Sequence, residues 1–92
     1  IGKNTLLGSG VHIMSGKGQH NFSDPEKPIK DQGGVFTKVI IGENCWLGNG
    51  ALIMANVGKG SVVAAGSVVV DDVPEGVIVG GNPAKVLKKI SV

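Results

Sequence analysis

The sequence predicts an all-β fold of the parallel β-helix type, and a repeat of six residues is the main observation behind this prediction. The chain aligns in blocks of six as IGKNTL and LGSGVH, IGENCW and LGNGAL, and VGKGSV and VAAGSV. The first position is aliphatic, the second is Gly or Ala, and the fifth is small or β-branched. A helix would need an apolar period near 3.6 residues and would not tolerate this much Gly.

Each block is expected to form a short strand and a turn, and three blocks close one triangular coil. Coils then stack at about 4.8 Å, the ordinary spacing of hydrogen-bonded strands. The aliphatic first position points inward, the small fifth position fits beside it, and Gly at the second is expected to allow the turn without a Cβ penalty. Because only 3% of residues are aromatic, the interior should be narrow and aliphatic.

The repeat is interrupted in two places, which defines the predicted domain organisation. The block IMAN at 53–56 is two residues short and predicts one tightened corner. A longer interruption contains Pro25 and Pro28, which lack amide donors, and unstructured loops longer than about 15 residues are usually functional or disordered. Upstream coils are expected to be missing, because the chain begins inside the repeat. The predicted single domain has a coil at 1–15, an extruded loop at 16–38, coils at 39–73 and a C-terminal tail at 74–92.

Composition excludes several classes of function. A formal net charge of +2 is too weak to indicate a nucleic-acid partner. The single cysteine, Cys45, cannot form an intramolecular disulfide or a zinc finger, and its fifth position indicates packing rather than a nucleophile. No apolar run is long enough to span a membrane. We therefore expect no metal, no membrane insertion and a cytoplasmic location.

The long loop carries His20 in the segment QHNFSDPEKP. From composition alone, a solvent-exposed histidine is the simpler interpretation. Three motifs change this interpretation: His20 followed by Asp24, Pro25 and Glu26, the segment IGENCWLG, and the ending GNPAKV. With the six-residue blocks, they resemble the hexapeptide-repeat acyltransferases, in particular sugar O-acetyltransferases of the maltose, galactoside and surface-polysaccharide types. The resemblance covers essentially the whole chain and implies a left-handed parallel β-helix.

The resemblance implies an acetyl-CoA-dependent O-acetyltransferase that acts on a sugar or polysaccharide-precursor hydroxyl. His20 would be the general base of a direct attack in a ternary complex, since a neutral imidazole suits proton removal near neutral pH. Asp24 and Glu26 are candidate sugar contacts. Nothing in the loop selects one acceptor.

The resemblance also implies that CoA lies in a groove between two β-helices of a homotrimer. Outward aliphatic side chains at Leu52, Val62 and Val68 support such an assembly, because one narrow core cannot bury them. Trp46 is expected to face outward, with subunit packing as the alternative role. The terminal lysines could instead only solubilise the chain. The residues assigned to cofactor binding by the family pattern are Trp46, Asn49, Ala65, Lys85 and Lys88.

The sequence departs from the family pattern at one point, and several alternative interpretations stay open. Val70 and Asp71 stand where the family commonly has Thr-Lys, near the expected cofactor groove. The cofactor contacts that the family makes through Thr-Lys are therefore not assigned to this chain.

His12 is interpreted as structural or solvent-facing, with the acceptor pocket as the alternative. A γ-type carbonic anhydrase would need three histidines for each zinc, and the chain has two. A xenobiotic or amino-acid acetyltransferase and a non-catalytic trimeric assembly module are the alternative functions.

Overall fold

The computed structural model describes residues 1–14, 26 and 38–90 of the 92-residue chain. This part contains no helix, and so none that is long and apolar enough to cross a membrane. The predicted all-β class is confirmed. The strands of the described part are β1 (Leu6–Leu7), β2 (His12–Ile13), β3 (Trp46–Leu47), β4 (Leu52–Ile53), β5 (Val62–Val63), β6 (Val68–Val69), β7 (Val77–Gly81) and β8 (Ala84–Lys89).

The strands form the sides of a prism. One sheet has the order β1-β3-β5-β7-β8, and a second has the order β2-β4-β6. The third side is formed by parallel bridges that join Ile41 to Val57 and Val57 to Val73. From β1 to β7, strands that are neighbours in the sequence belong to different sheets, and the pairs between coils are parallel. The chain therefore winds as a coil, as the six-residue repeat predicts; its left hand stays a prediction.

The register shows that one coil contains 16 residues rather than 18. Leu47 pairs with Val63, and Ile53 pairs with Val69. Each coil is thus two blocks of six and one of four, and the tightened corner predicted at 53–56 occurs again at 69–72, which the sequence analysis did not identify.

The described residues that flank the predicted loop lie at the same corner of the prism. Met14 donates its amide to the Ile53 carbonyl, as Met54 donates to Val69 in the next coil. Val57 donates to the Ile40 carbonyl in the first coil. Met14 and Ile40 therefore lie at the same corner, the one that takes four residues in the coils above. The predicted loop between them lies outside the described residues except for residues 26 and 38.

The core is a narrow column of inward aliphatic side chains, as predicted. At the fifth position, small polar side chains link successive coils. Thr5 donates its hydroxyl to the Gly42 carbonyl at 2.8 Å, the Cys45 thiol donates to Gly58 at 3.2 Å, and the Ser61 hydroxyl donates to Pro74 at 2.5 Å. Cys45 is therefore a buried packing residue. The buried apolar residues are Ile41, Cys45, Leu47, Ala51, Ile53, Val57, Val63, Val69, Val73, Val77 and Val79.

The prediction that Gly at the second position allows the turn backbone without a Cβ penalty is wrong. The left-handed backbone occurs at the fourth position instead, where Asn44 has φ of 57° and Gly60 has φ of 72°. A Cβ on Gly42 would lie 2.7 Å from the Lys59 amide nitrogen, and one on Gly58 would lie 2.6 Å from that of Glu75. The second position is Gly because adjacent coils approach closely there.

The boundary predicted between coils and tail, at residue 73, is also corrected. β7 pairs in parallel with β5 and continues the prism, and its residues Val77 and Val79 are buried. β8 then turns back antiparallel to β7 and becomes the mostly exposed edge strand of the same sheet. The block VPEGVI at 73–78 departs from the repeat at its second position, where Pro74 replaces Gly or Ala, and this departure hid the coil.

Replacing Ser61 by alanine is expected to lower the free energy of unfolding by about 1–3 kcal/mol. The Ser61 hydroxyl donates to the Pro74 carbonyl and accepts the Val77 amide at 3.2 Å, so Ala leaves two groups of the next coil unpaired. Urea unfolding at a fixed protein concentration measures the change. Cys45→Ser, which keeps a donor at the equivalent position, is the matched control and should cost less than about 1 kcal/mol. Equal losses in both variants would show that the hydroxyl does not link the coils.

Candidate functional site

A groove of about 370 Å³ lies on the outer side of the prism, where β3 and β5 end and the chain turns toward the second sheet. It forms because outward sixth-position residues of two coils stand beside the small residues of the following turns. Three of the five residues predicted to bind the cofactor line this one groove. Its lining consists of Trp46, Gly48, Asn49, Val62, Val63, Ala64 and Ala65.

Trp46 forms the apolar wall of the groove. It pairs in register with Leu6 on one side and Val62 on the other, so the three outward side chains form a row across the sheet. The indole is 56% exposed, which confirms the predicted outward orientation. An exposed Trp on a β face, beside a groove, is typical of a contact surface for a ligand or a subunit.

Asn49 holds its side chain against the preceding coil. Its Oδ1 accepts the main-chain N–H of Ser9 at 2.9 Å. This bond uses one lone pair of the amide oxygen, so the second lone pair and the NH₂ group of the side chain remain to contact a ligand. Ala65 occupies the equivalent turn position one coil further on and is exposed.

Lys85 and Lys88 lie on β8 and do not line the groove. Lys88 is opposite Ile78, and Ile78 pairs with Val62, so Lys88 continues the row that contains Trp46. Both lysines are exposed. The structure thus places Lys88 at the end of the Trp46 row, in which neighbouring strands are about 4.8 Å apart. Neither lysine is in contact with the groove.

Of the other predicted site residues, those that the structure describes do not line the groove. His20 and Asp24 lie outside the described residues, and Glu26 is exposed. His12 is exposed on β2, opposite Leu52, in the second sheet. The groove lies at the corner that leads into the second sheet, whereas Met14 and Ile40, which flank the predicted loop, lie at the corner that follows it.

The departure at Val70 and Asp71 lies away from the groove in a single chain. Both residues belong to the four-residue corner after β6, where the Asp72 carboxylate accepts the Asn56 amide at 3.0 Å. Asn56 in turn accepts the amide of Ile40 through its side chain at 2.7 Å. Val70 and Asp71 do not line this groove within one chain, and the expectation, which concerns a groove between two β-helices, stays a prediction. They lie at the corner where Met14 and Ile40, which flank the predicted loop, are bonded.

A second cleft, of about 820 Å³, lies at the opposite edge of the larger sheet and was not predicted. Lys59 borders it and pairs with Glu43, with 3.1 Å between Nζ and Oε1. Third positions of successive coils carry Lys3, Glu43, Lys59 and Glu75, an alternation that is visible in the sequence. Exposed pairs of this kind contribute about 0–1 kcal/mol each, so the alternation supports coil register more than ligand binding.

Comparison with known proteins connects this geometry to a family. The family described as "Hexapeptide repeat of succinyl-transferase" matches residues 38–71, which contain the two coils that form the groove. The chain belongs to the hexapeptide-repeat family. It spans about a quarter to a half of the length of the curated relatives that it matches.

Within the hexapeptide-repeat family, relatives with different acceptors are similar to this chain. A galactoside O-acetyltransferase of Lactococcus lactis is 35% identical over 95 residues, covering 99% of this chain and 43% of the relative. A 2,3,4,5-tetrahydropyridine-2,6-dicarboxylate N-acetyltransferase of Clostridium perfringens is 55% identical over 56 residues, covering 59% of this chain and 24% of the relative.

A solved structure shares the fold over nearly the whole chain. It is a hexapeptide-repeat-containing acetyltransferase from Vibrio cholerae in complex with acetyl-CoA. The two have a TM-score of 0.83 and 26% identity, and the match covers 98% of this chain and 48% of the other.

Proposed function

We propose that this protein is an acetyl-CoA-dependent O-acetyltransferase whose acceptor is a sugar or polysaccharide-precursor hydroxyl. The observation that carries the proposal is the groove, which gathers Trp46, Asn49 and Ala65. These are three of the five residues that the family pattern assigns to CoA. The acetyl-CoA complex of the Vibrio cholerae relative and the galactoside O-acetyltransferase similarity support the same donor and acceptor classes. A cytoplasmic location is part of this proposal.

The reaction is a direct transfer between two bound substrates. His20 removes the proton of the acceptor hydroxyl as the oxygen attacks the thioester carbonyl carbon. The new C–O bond forms, the C–S bond breaks, and CoA leaves with the sulfur. Asp24 and Glu26 bind the sugar, and Lys85 and Lys88 pair with the CoA phosphates. Holding the acceptor hydroxyl and the thioester together supplies much of the rate enhancement that general-base catalysis does not provide.

A homotrimer explains how two separate corners form one site. The groove and the residues that flank the predicted loop, Met14 and Ile40, lie at different corners, with the β2-β4-β6 sheet between them. In a ring of three prisms, the loop corner of one copy faces the groove of its neighbour. Exposed Trp46 and half-buried Leu52, Val62 and Val68 supply apolar surface for such packing.

N-acetylation of an amino-acid-like dicarboxylate is the second candidate. The 55% identity to the Clostridium perfringens enzyme favours it, although that match covers only part of this chain. Donor, groove and base would be the same, and only the acceptor would differ.

The proposal is tested by titrating acetyl-CoA into the protein in a calorimeter and then following free-thiol release with a panel of sugars and aminodicarboxylates. We expect saturable binding and acceptor-dependent thiol release with a sugar. Release with an aminodicarboxylate alone would favour the second candidate. Absence of CoA binding would contradict both and leave the assembly module as the better explanation.

A further inference from the structure

Asn49 and Gly50 form the one Asn-Gly pair of the sequence, and Asn49 lines the groove. Asn is among the thermolabile residue types. The nitrogen of the next residue can attack the Asn carboxamide, and glycine, which has no Cβ, leaves this approach unobstructed. The other asparagines of the described part precede Thr, Cys, Val and Pro; they are Asn4, Asn44, Asn56 and Asn82. The most reactive pair of the sequence therefore lies in the groove.

The reaction of this pair requires only water. The Gly50 nitrogen loses its proton to solvent and forms a bond to Cγ of Asn49. The Cγ–Nδ2 bond breaks, and the NH₂ group takes a proton from solvent and leaves as ammonia. Water then opens the resulting ring at either carbonyl and gives aspartate or isoaspartate. Each product carries a carboxylate in place of the carboxamide, so the groove gains one negative charge at neutral pH.

Ser9 of the preceding coil holds both reacting groups in the folded chain. The Ser9 N–H donates to Oδ1 of Asn49 at 2.9 Å, and the Ser9 carbonyl accepts the Gly50 N–H at 2.8 Å. The first bond fixes the orientation of the carboxamide, and the second retains the proton that Gly50 must lose. The attack therefore requires the two coils to separate at Ser9.

The coil that contains Ser9 is less buried than the coil that contains Asn49. Leu7 is 47% exposed, whereas Leu47, its equivalent one coil above, is fully buried. Segments with few buried apolar contacts open locally at a lower free-energy cost than the whole fold. The release of the reactive pair is therefore controlled by how firmly the first coil is held.

We propose that Asn49–Gly50 is a deamidation site in the groove and that Ser9 keeps it unreacted by binding both reacting groups. Opening of the first coil releases the pair, and the product adds a negative charge to the surface that is proposed to hold CoA. The modification and its control by Ser9 depend only on the fold. Its effect on donor binding rests on the proposed function.

Ser9→Pro tests the inference because it removes the N–H that binds Asn49 and keeps the carbonyl that binds Gly50. Proline is favoured before the left-handed residue of a type II turn, here Gly10 with φ of 71°. Ser9→Ala, which keeps the N–H, is the matched control. Peptide mass spectrometry after incubation of the folded proteins at mildly alkaline pH measures conversion of Asn49. We expect conversion at least threefold faster in Ser9→Pro than in Ser9→Ala, and equal rates in the two variants would overturn the inference.

The folded and unfolded wild type provide a second measurement that needs no substitution. In guanidinium chloride, Asn49 should convert before Asn44 and Asn56, because only Asn49 precedes glycine. In the folded chain, conversion of Asn49 should be at least tenfold slower than in the unfolded chain. Equal rates in the two states would show that the fold does not protect the pair and would overturn the inference, whether or not Ser9→Pro folds.

Acetyl-CoA binding separates this inference from the proposed function. Calorimetry should give a Kd for the deamidated wild type at least threefold above that of the unmodified protein, because the added carboxylate and the CoA phosphates have the same sign of charge. Equal Kd values would overturn the effect on the groove. If the unmodified wild type does not bind acetyl-CoA, the proposed function fails, whereas the conversion rates still decide whether Ser9 protects the pair.

Discussion

His20→Ala is expected to lower kcat by at least two orders of magnitude while the Kd of acetyl-CoA changes less than threefold. A positioned general base contributes about 10²–10⁴-fold, and alanine cannot accept the proton of the acceptor hydroxyl. The groove that is proposed to hold CoA is built from Trp46 and its neighbours. The substitution should therefore impair proton removal, measured as kcat, without weakening the binding of acetyl-CoA. Initial rates of thiol release at saturating acceptor, with calorimetry for the donor, measure both quantities.

His12→Ala is the control for this substitution. His12 is the other histidine of the chain, and it is exposed on β2, in the sheet that does not border the groove. Its removal should leave kcat within about threefold, since no step of the proposed reaction uses it. Equal turnover in His20→Ala and the wild type would remove His20 from the mechanism. A large loss of kcat in His12→Ala with little loss in His20→Ala would show that His12, and not His20, is the base.

The features of the fold that are local in sequence were predictable. A strand alternates its side chains between two faces, so the aliphatic first position and small fifth position indicate the inward side without knowledge of the partner strands. Leu47 and Val63 are fully buried for this reason, and Trp46, one residue before Leu47, faces outward.

Features that depend on contacts between coils were not predictable in the same way. The tight approach of Gly58 to Glu75 is visible only when the 16-residue register is known. The position of β8 could not be predicted because its pairing with β7 joins residues that no six-residue pattern relates, such as Ile78 and Lys88.

The candidate site also has a part that the repeat predicted and a part that it did not. Trp46, Asn49 and Ala65 come together because they occupy neighbouring positions at one corner of consecutive coils, which the repeat already implies. Lys85 and Lys88 lie outside the groove because the position of β8 is set by its antiparallel turn, for which the repeat gives no information. The role of His20 stays a prediction, since it depends on the assembly of separate corners.

Gly58→Ala is expected to have the largest effect on stability, a loss of at least about 3 kcal/mol in the free energy of unfolding. The new Cβ would lie 2.6 Å from the Glu75 amide nitrogen and 2.7 Å from the Pro74 carbonyl carbon. Overpacking typically costs about 1–3 kcal/mol where side chains can adjust. Here the opposing atoms are backbone, so relief requires the two coils to separate and weakens the 2.8 Å bond from Gly58 to the Val73 carbonyl. Urea unfolding followed by circular dichroism measures the loss.

Gly60, two residues further along the same turn, provides the matched control. Its φ is 72°, and a Cβ there would meet nothing within 4 Å among the described residues. Gly60→Ala should therefore cost only the backbone strain of about 1–2 kcal/mol. Gly60→Asn should be nearly neutral, because Asn44 already occupies the equivalent position with φ of 57°. If Gly58→Ala were no more costly than Gly60→Ala, the close approach of the coils would not be what requires glycine at the second position. The repeat would then reflect backbone conformation after all.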